Sequence, residues 1–207
     1  MIVKVCGLRD PDNIRAVELL PVDLCGFIFY PRSPRCVPDD EFHAAAVRSC
    51  RRPAVGVFVD ASPAEMLRTA ERFGLGWLQL HGDESPEACG ELRQRGFRII
   101  KAIRVASAGD LAAARAYEDC ADYLLFDTRC DGYGGSGRRF DWSVLDAYAG
   151  RVPFLLSGGI DAECAEAVRG FVHPRFAGVD LNSGFETAPA VKDAGKLGKF
   201  ISKIQLP

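Results

Sequence analysis

Apolar residues along this chain gather in short runs, and between the runs lie longer stretches in which apolar positions recur at helical spacing. The runs predict strands near 2–6 (IVKVC), 24–29 (LCGFIF), 54–59 (AVGVFV), 76–80 (GWLQL), 98–103 (RIIKAI), 122–126 (DYLLF), 153–157 (PFLLS) and 177–181 (AGVDL). The stretches PDNIRAVELL, DDEFHAAAVRSC, SPAEMLRTAERF, SPEACGELRQRG and DAECAEAVRG predict helices, with a last one near 193–203. Several of them open with Ser or Asp before Pro or an acidic residue, which is helix-start chemistry. Strand–helix alternation from end to end places the chain in the α/β class and predicts an eight-stranded parallel barrel ringed by helices. A doubly wound open sheet is the competing arrangement, and the even spacing favours the barrel. Such barrels typically run to ~250 residues, so 207 residues make a compact one, expected to form a single domain over 1–207.

A barrel of this kind carries its chemistry at the carboxyl ends of its strands. In MIVKVCG the period of two puts Lys4 and Cys6 on one face. Cys6 therefore ends a strand facing whatever that face encloses. In LLFDT, Asp127 ends the sixth strand in the same way, where partial desolvation suits a carboxyl to donate a proton. Its plainer role would be to cap a turn with Thr128. In LQLHG, Gln79 and His81 share a face and approach the mouth as substrate-facing residues. For His81 a satisfied structural ring is the ordinary outcome, and catalysis the alternative.

Two glycine turns suggest an anion site. LLSGGI runs a strand into Gly158-Gly159 and a helix start, and GVDLNSGFE repeats the arrangement with Ser183-Gly184. Backbone N–H groups at such turns can approach a phosphate, and the loops after strands seven and eight are where this fold commonly binds one. The alternative is that both turns merely connect elements. Gly132 to Gly137 matches G-x-G-x-x-G literally, but it stands several residues from the strand and lacks the acidic ribose partner, so a dinucleotide site is rejected. That segment reads instead as a mobile lid, or as a plain surface loop. In FYPRSPRCV, Arg32 and Arg35 are solvated loop residues or carboxylate partners.

Composition adds mostly exclusions. A formal charge of -2 gives no reason to expect nucleic acid or an anionic membrane as partner. No apolar run is long enough to span a bilayer, and the start lacks secretory-signal features, so a cytoplasmic location is expected. The eight cysteines are widely spread with no C-x-x-C, which favours free thiols used as small apolar fillers and gives a zinc or redox site no local support.

KVCG at 4–7, FYPRSPRCV at 29–37, GVFVD at 56–60, LQLHGDE at 78–84, LLFDT at 124–128, GGSGRRFDW at 134–142, SGGI at 157–160 and GVDLNSGFE followed by KD at 192–193 run in this order over nearly the whole chain. Together they make the sequence resemble the phosphoribosylanthranilate isomerases of tryptophan biosynthesis. The resemblance implies a (β/α)8 TIM barrel and an Amadori rearrangement of an aminoaldose to an aminoketose. It implies Cys6 as general base, Asp127 as general acid, and Arg35 as partner of the anthranilate carboxylate. It further implies Asp180 at the ribose and Gly158, Gly159, Ser183 and Gly184 at the phosphate. No metal or organic cofactor is implied, because the substrate's own iminium is the electron sink. The expected partner is a small phosphosugar, and the expected assembly a monomer or homodimer. Lys4, on the face of Cys6 but a layer deeper, is a candidate to favour the thiolate. Departures are small: GGSG for the commoner GGTG, SGGI for AGGL and SGF for SGV. Other phosphosugar barrels fit less well, since an indole-glycerol-phosphate synthase needs a lysine acid, an epimerase needs a metal set, and the histidine-pathway isomerase pairs two aspartates. A decayed, non-catalytic phosphosugar-binding barrel would have lost the proton-transfer residues.

Overall fold

The computed structural model describes residues 1–128 and 141–205. Eight parallel strands close into a barrel in chain order: β1 (Ile2–Val5), β2 (Leu24–Ile28), β3 (Ala54–Phe58), β4 (Trp77–Leu80), β5 (Arg98–Val105), β6 (Tyr123–Thr128), β7 (Phe154–Leu156) and β8 (Phe176–Leu181). Closure is made by β1 against β8, with Lys4 opposite Asp180 and Val5 opposite Leu181. Both faces of these strands are covered, which is why they read as near-continuous apolar runs.

The helices are α1 (Pro11–Glu18), α2 (Glu41–Arg48), α3 (Pro63–Phe73), α4 (Pro86–Gln94), α5 (Ala165–Gly170) and α6 (Ala194–Gln205). The first four open on Asp10, Asp40, Ser62 and Ser85, whose side chains accept N–H bonds from Asn13, His43, Glu65 and Ala88. Each such cap stabilises its helix by about 1 kcal/mol. The barrel departs from eight regular units after β5 and β6, where 3₁₀ segments replace α-helices at Ala108–Tyr117 and Trp142–Ala147. The first is alanine-rich and buries only Leu111 and Ala114, too small an apolar face to hold an α-helix on the sheet. A short antiparallel hairpin, β9 (Glu186–Ala188) and β10 (Val191–Lys192), follows β8. It is too brief to show a period in the sequence.

The barrel interior holds Leu24, Val55, Ile100, Ala102, Leu125 and Leu155, and a larger apolar layer fills the space between sheet and helices. Each large side chain buried there stabilises the fold by roughly 1.5–3 kcal/mol. A buried ion pair sits in that outer layer. Lys101 of β5 donates to the carbonyls of Leu80 and Gly82 at 3.1 and 2.6 Å and to Glu84 at 3.2 Å. Glu84 in turn accepts the N–H groups of Asp60 and Gly82, both at 2.9 Å. The pair ties the loops after β3 and β4 to β5 and so fixes the backbone that carries His81.

Candidate active site

Cys6 follows β1, and its N–H donates to Leu181 at 2.8 Å, which holds it in the closed barrel wall. The chain turns at once through Gly7, whose φ of 77° lies in the left-handed region. Beneath the thiol, the fully buried Lys4 donates to Asp180 Oδ1 at 2.7 Å. Gly26 of β2 makes room for both. A Cβ there would stand 3.0 Å from Cys6 Sγ and 3.1 Å from Lys4 Nζ.

Burial pushes the Cys6 thiol up, Lys4 pulls it down, Asp180 opposes Lys4, and Lys192 adds a second pull downward; burial prevails. Burial alone would depress the Lys4 ammonium, but Asp180 and Cys6 hold it above its ordinary value, so it stays charged. The thiol thus rests protonated above a permanent cation, which stabilises the thiolate when it forms.

Across the mouth, Asp127 stands one residue before the end of β6 and meets two donors. Thr128 N–H reaches its Oδ1 at 2.9 Å, and His81 Nε2 lies 3.2 Å from its Oδ2. Gln79 Nε2 lies 2.8 Å from His81 Nδ1. These groups line one pocket that opens to solvent. Ile28, Val57 and Ile160 give it apolar wall, while Gly158, Gly159 and Ser183 line its far side. Gly158 and Gly159 have φ of 80° and 66°, and a Cβ at Gly158 would stand 2.3 Å from the Thr128 hydroxyl, so only glycine brings the backbone this close.

Of the residues read from the sequence, Cys6, Gln79, His81, Asp127, Gly158, Gly159, Asp180 and Ser183 converge on this pocket. Gly184 follows on the single 3₁₀ turn Ser183–Phe185 and packs against the Ile160 carbonyl, behind the lining. Arg35 also stands off the lining. Its Nε and Nη2 form a two-pronged pair with Glu186 at 2.9 and 2.7 Å. Arg32 is exposed, and the lid reading at 132–137 lies outside the described residues. The seven cysteines among the described residues are free thiols. Among the described residues no group of three or more His, Cys, Asp or Glu side chains is placed to hold a metal ion, and no helix is long and apolar enough to cross a membrane.

Sequence reading missed the role of the hairpin. Lys192, buried at the base of the mouth, donates to Asn182 and Glu186, both at 2.6 Å. Arg35, Glu186 and Lys192 carry one net positive charge beside Gly7, next in the chain to the thiol. The signal was present as Glu and Lys flanking the Pro-containing turn of ETAPAVK, but nothing local points it at Arg35. Burial alone would raise the Glu186 carboxyl; Arg35 and Lys192 overcome it and hold the group below its usual range. An acid with a depressed folded pKa lends stability above its unfolded value of 4.5 and loses it as the pH falls below that. Glu186→Gln is therefore expected to be less stable than the parent at pH 7, with the gap narrowing as the pH drops below 4.5. Urea unfolding across this range checks it, and a gap independent of pH would exclude the electrostatic cause.

A family model described as N-(5'phosphoribosyl)anthranilate (PRA) isomerase matches residues 3–203. The chain belongs to that family. It is 54% identical to the N-(5'-phosphoribosyl)anthranilate isomerase of Parabacteroides distasonis over 209 residues, covering 100% of this chain and 95% of the relative. It is 47% identical to the protein of that name from Phocaeicola vulgatus, covering 99% and 98%. Among solved structures, phosphoribosyl anthranilate isomerase from Thermotoga maritima superposes with a TM-score of 0.84 at 31% identity, covering 99% of each chain. A phosphoribosyl anthranilate isomerase in complex with reduced 1-(o-carboxyphenylamino)-1-deoxyribulose 5-phosphate gives 0.80 at 29% identity, again covering 99% of each.

Proposed function

We propose that this chain catalyses the rearrangement of N-(5'-phosphoribosyl)anthranilate to 1-(2-carboxyphenylamino)-1-deoxyribulose 5-phosphate, the isomerase step of tryptophan biosynthesis. The observation that carries the reading is a thiol and a carboxyl on opposite sides of one pocket that also ends in a glycine cradle. Asp127 protonates the furanose ring oxygen, the C1–O bond breaks, and the anilino nitrogen lone pair forms the Schiff base. The Cys6 thiolate then takes the proton from C2, giving an enolamine that tautomerises to the ketone. Gly158, Gly159 and Ser183 receive the phosphate through N–H groups, with Gly184 shaping the turn behind them. Asp180 faces the ribose, and the apolar wall of Ile28 and Val57 faces the aromatic ring. A solved relative holding a reduced form of the product supports this choice of ligand.

Arg35 is assigned to the anthranilate carboxylate. Glu186 occupies its Nε and Nη2 edge, so the substrate would meet the Nη1 edge or displace Glu186. Arg35→Ala is expected to raise KM with a smaller effect on kcat, and an unchanged KM would sink the assignment.

The direct test couples anthranilate and phosphoribosyl pyrophosphate through their transferase and follows substrate fluorescence when this protein is added. Rapid loss of signal is expected. A folded protein that binds the reduced product and leaves the signal unchanged would favour a non-catalytic phosphosugar-binding barrel.

A further inference from the structure

Gln79 has an arrangement that lining a pocket does not require. It is 1% exposed, one residue pair below the mouth on β4, and its buried carbonyl oxygen has no hydrogen-bond partner among the described residues. Buried polar atoms are nearly always paired, and this one belongs to a side chain on the pocket wall. The other end of the same amide is engaged. Its nitrogen, which can only donate, lies 2.8 Å from His81 Nδ1.

That contact decides the histidine. An Nδ1 that accepts carries no proton, so the ring proton resides on Nε2, which points at Asp127 Oδ2 from 3.2 Å. Asp127 then faces two donors, His81 Nε2–H on one oxygen and Thr128 N–H on the other. Both bonds strengthen when the carboxyl loses its proton. They favour the state reached by proton donation over the state before it, the condition for an interaction to speed a step. His81 is also held from behind, its N–H donating to Phe58 at 2.8 Å and the next residue, Gly82, donating to Glu84 at 2.9 Å.

We propose that Gln79 is a positioning residue for proton donation by Asp127: its amide nitrogen locks His81 as an Nε2–H donor to the carboxylate, and its free carbonyl oxygen accepts a hydroxyl or N–H of the bound substrate. The substrate thereby completes the amide whose other end sets the acid. The proposal rests on the assignment of Asp127 as the acid. The charged and titratable groups at the strand ends around the ring include Asp127 of β6, Asp180 of β8, Lys4 of β1 with Cys6 just after it, Tyr30 after β2, and Arg104 of β5, the last paired with Asp83.

The test has two arms. Long-range ¹H–¹⁵N correlation spectra of the ligand-free protein report the tautomer of His81, assigned through loss of its signals in His81→Gln. A neutral ring protonated at Nε2 is expected in the parent, and a proton on Nδ1 in Gln79→Glu, whose carboxylate must accept there. A parent ring protonated at Nδ1, or doubly protonated at pH 7, overturns the lock. In the kinetic arm, Gln79→Glu and Gln79→Met are expected to lower kcat roughly 10- to 100-fold, the rate equivalent of one hydrogen bond to a charged group. His81→Gln, which keeps an amide donor near the Nε2 position, should retain more kcat than His81→Leu. Folded Gln79 variants with kcat within about two-fold of the parent, well below that loss, overturn the proposal. Because the spectroscopic arm needs no substrate, its outcome is separable from a failure of the parent to turn over phosphoribosylanthranilate.

Discussion

Cys6→Ser is expected to lower kcat by about 10²–10⁴-fold, the range a positioned general base contributes, while leaving folding and the binding of reduced product near those of the parent. A serine hydroxyl is close to a thiol in shape but keeps its proton far more firmly, so it retains the packing and removes the base. The environment sharpens the contrast. Lys4 and Lys192 favour an anion at this position, which a thiol supplies and an alcohol does not. Asp127→Asn should cause a loss of similar size, because an amide cannot protonate the ring oxygen. Combining the two substitutions should cost less than the product of the separate losses, since each removes a proton transfer the other requires. Stopped-flow turnover beside equilibrium binding separates these effects, and activity within a few-fold of the parent in either variant would remove that residue from its role.

The same environment fixes a pH dependence. Burial holds the thiol above its ordinary value of 9.0, so the thiolate fraction in the empty site is small at pH 7 and grows as the pH rises. The value of kcat/KM is expected to climb with pH on the alkaline side of neutrality as the thiolate fraction grows. Alkylation of Cys6 by iodoacetamide should climb in parallel. An alkylation rate flat with pH above 7 would mean the thiol is already ionised and that Lys4 outweighs burial.

The strand pattern was readable because a parallel barrel buries both faces of every strand, and each predicted strand falls within about two residues of the observed one, as boundaries usually do. The strand ends followed from it: once the barrel is drawn, Cys6, His81 and Asp127 must meet at the mouth. What the chain did not reveal are contacts made by closure. Lys4 and Asp180 are 176 residues apart and meet because β1 pairs with β8. Arg35 and Glu186 are 151 apart, joined by a hairpin whose strands are too short to show alternation. The 3₁₀ segment after β5 was missed for the opposite reason. Its alanines are permissive of helix, and the lack of a wide apolar face decides against it only once the sheet is in place.

Lys4→Met tests the contact that closure creates, and it should produce the largest loss of stability among these variants. Methionine fills nearly the same volume, so packing changes little and the effect is electrostatic. It leaves the Asp180 carboxylate buried without its cation, 5% exposed and electrostatically opposed by Asp127. Removing one partner of a buried pair typically costs about 3–5 kcal/mol. Asp180 can relieve part of that cost by taking a proton, because burial raises its pKa and Lys4 no longer opposes the rise. An acid whose folded pKa exceeds its unfolded value loses stability as the pH rises, so the gap to the parent should be wider at pH 7 than at pH 5. Lys4→Met with Asp180→Leu removes both charges and should recover most of the loss, with the shortfall from additivity measuring the pair. Urea unfolding of Lys4→Met, Asp180→Leu and the double variant decides it. If Lys4→Met alone unfolds within about 0.5 kcal/mol of the parent, the difference expected of an uninvolved surface site, the pair does not hold the barrel closed. Slower alkylation of Cys6 in that variant would still place the ammonium in the ionisation of the thiol, because Lys4 stands beneath both groups and stabilises whichever of them is negative.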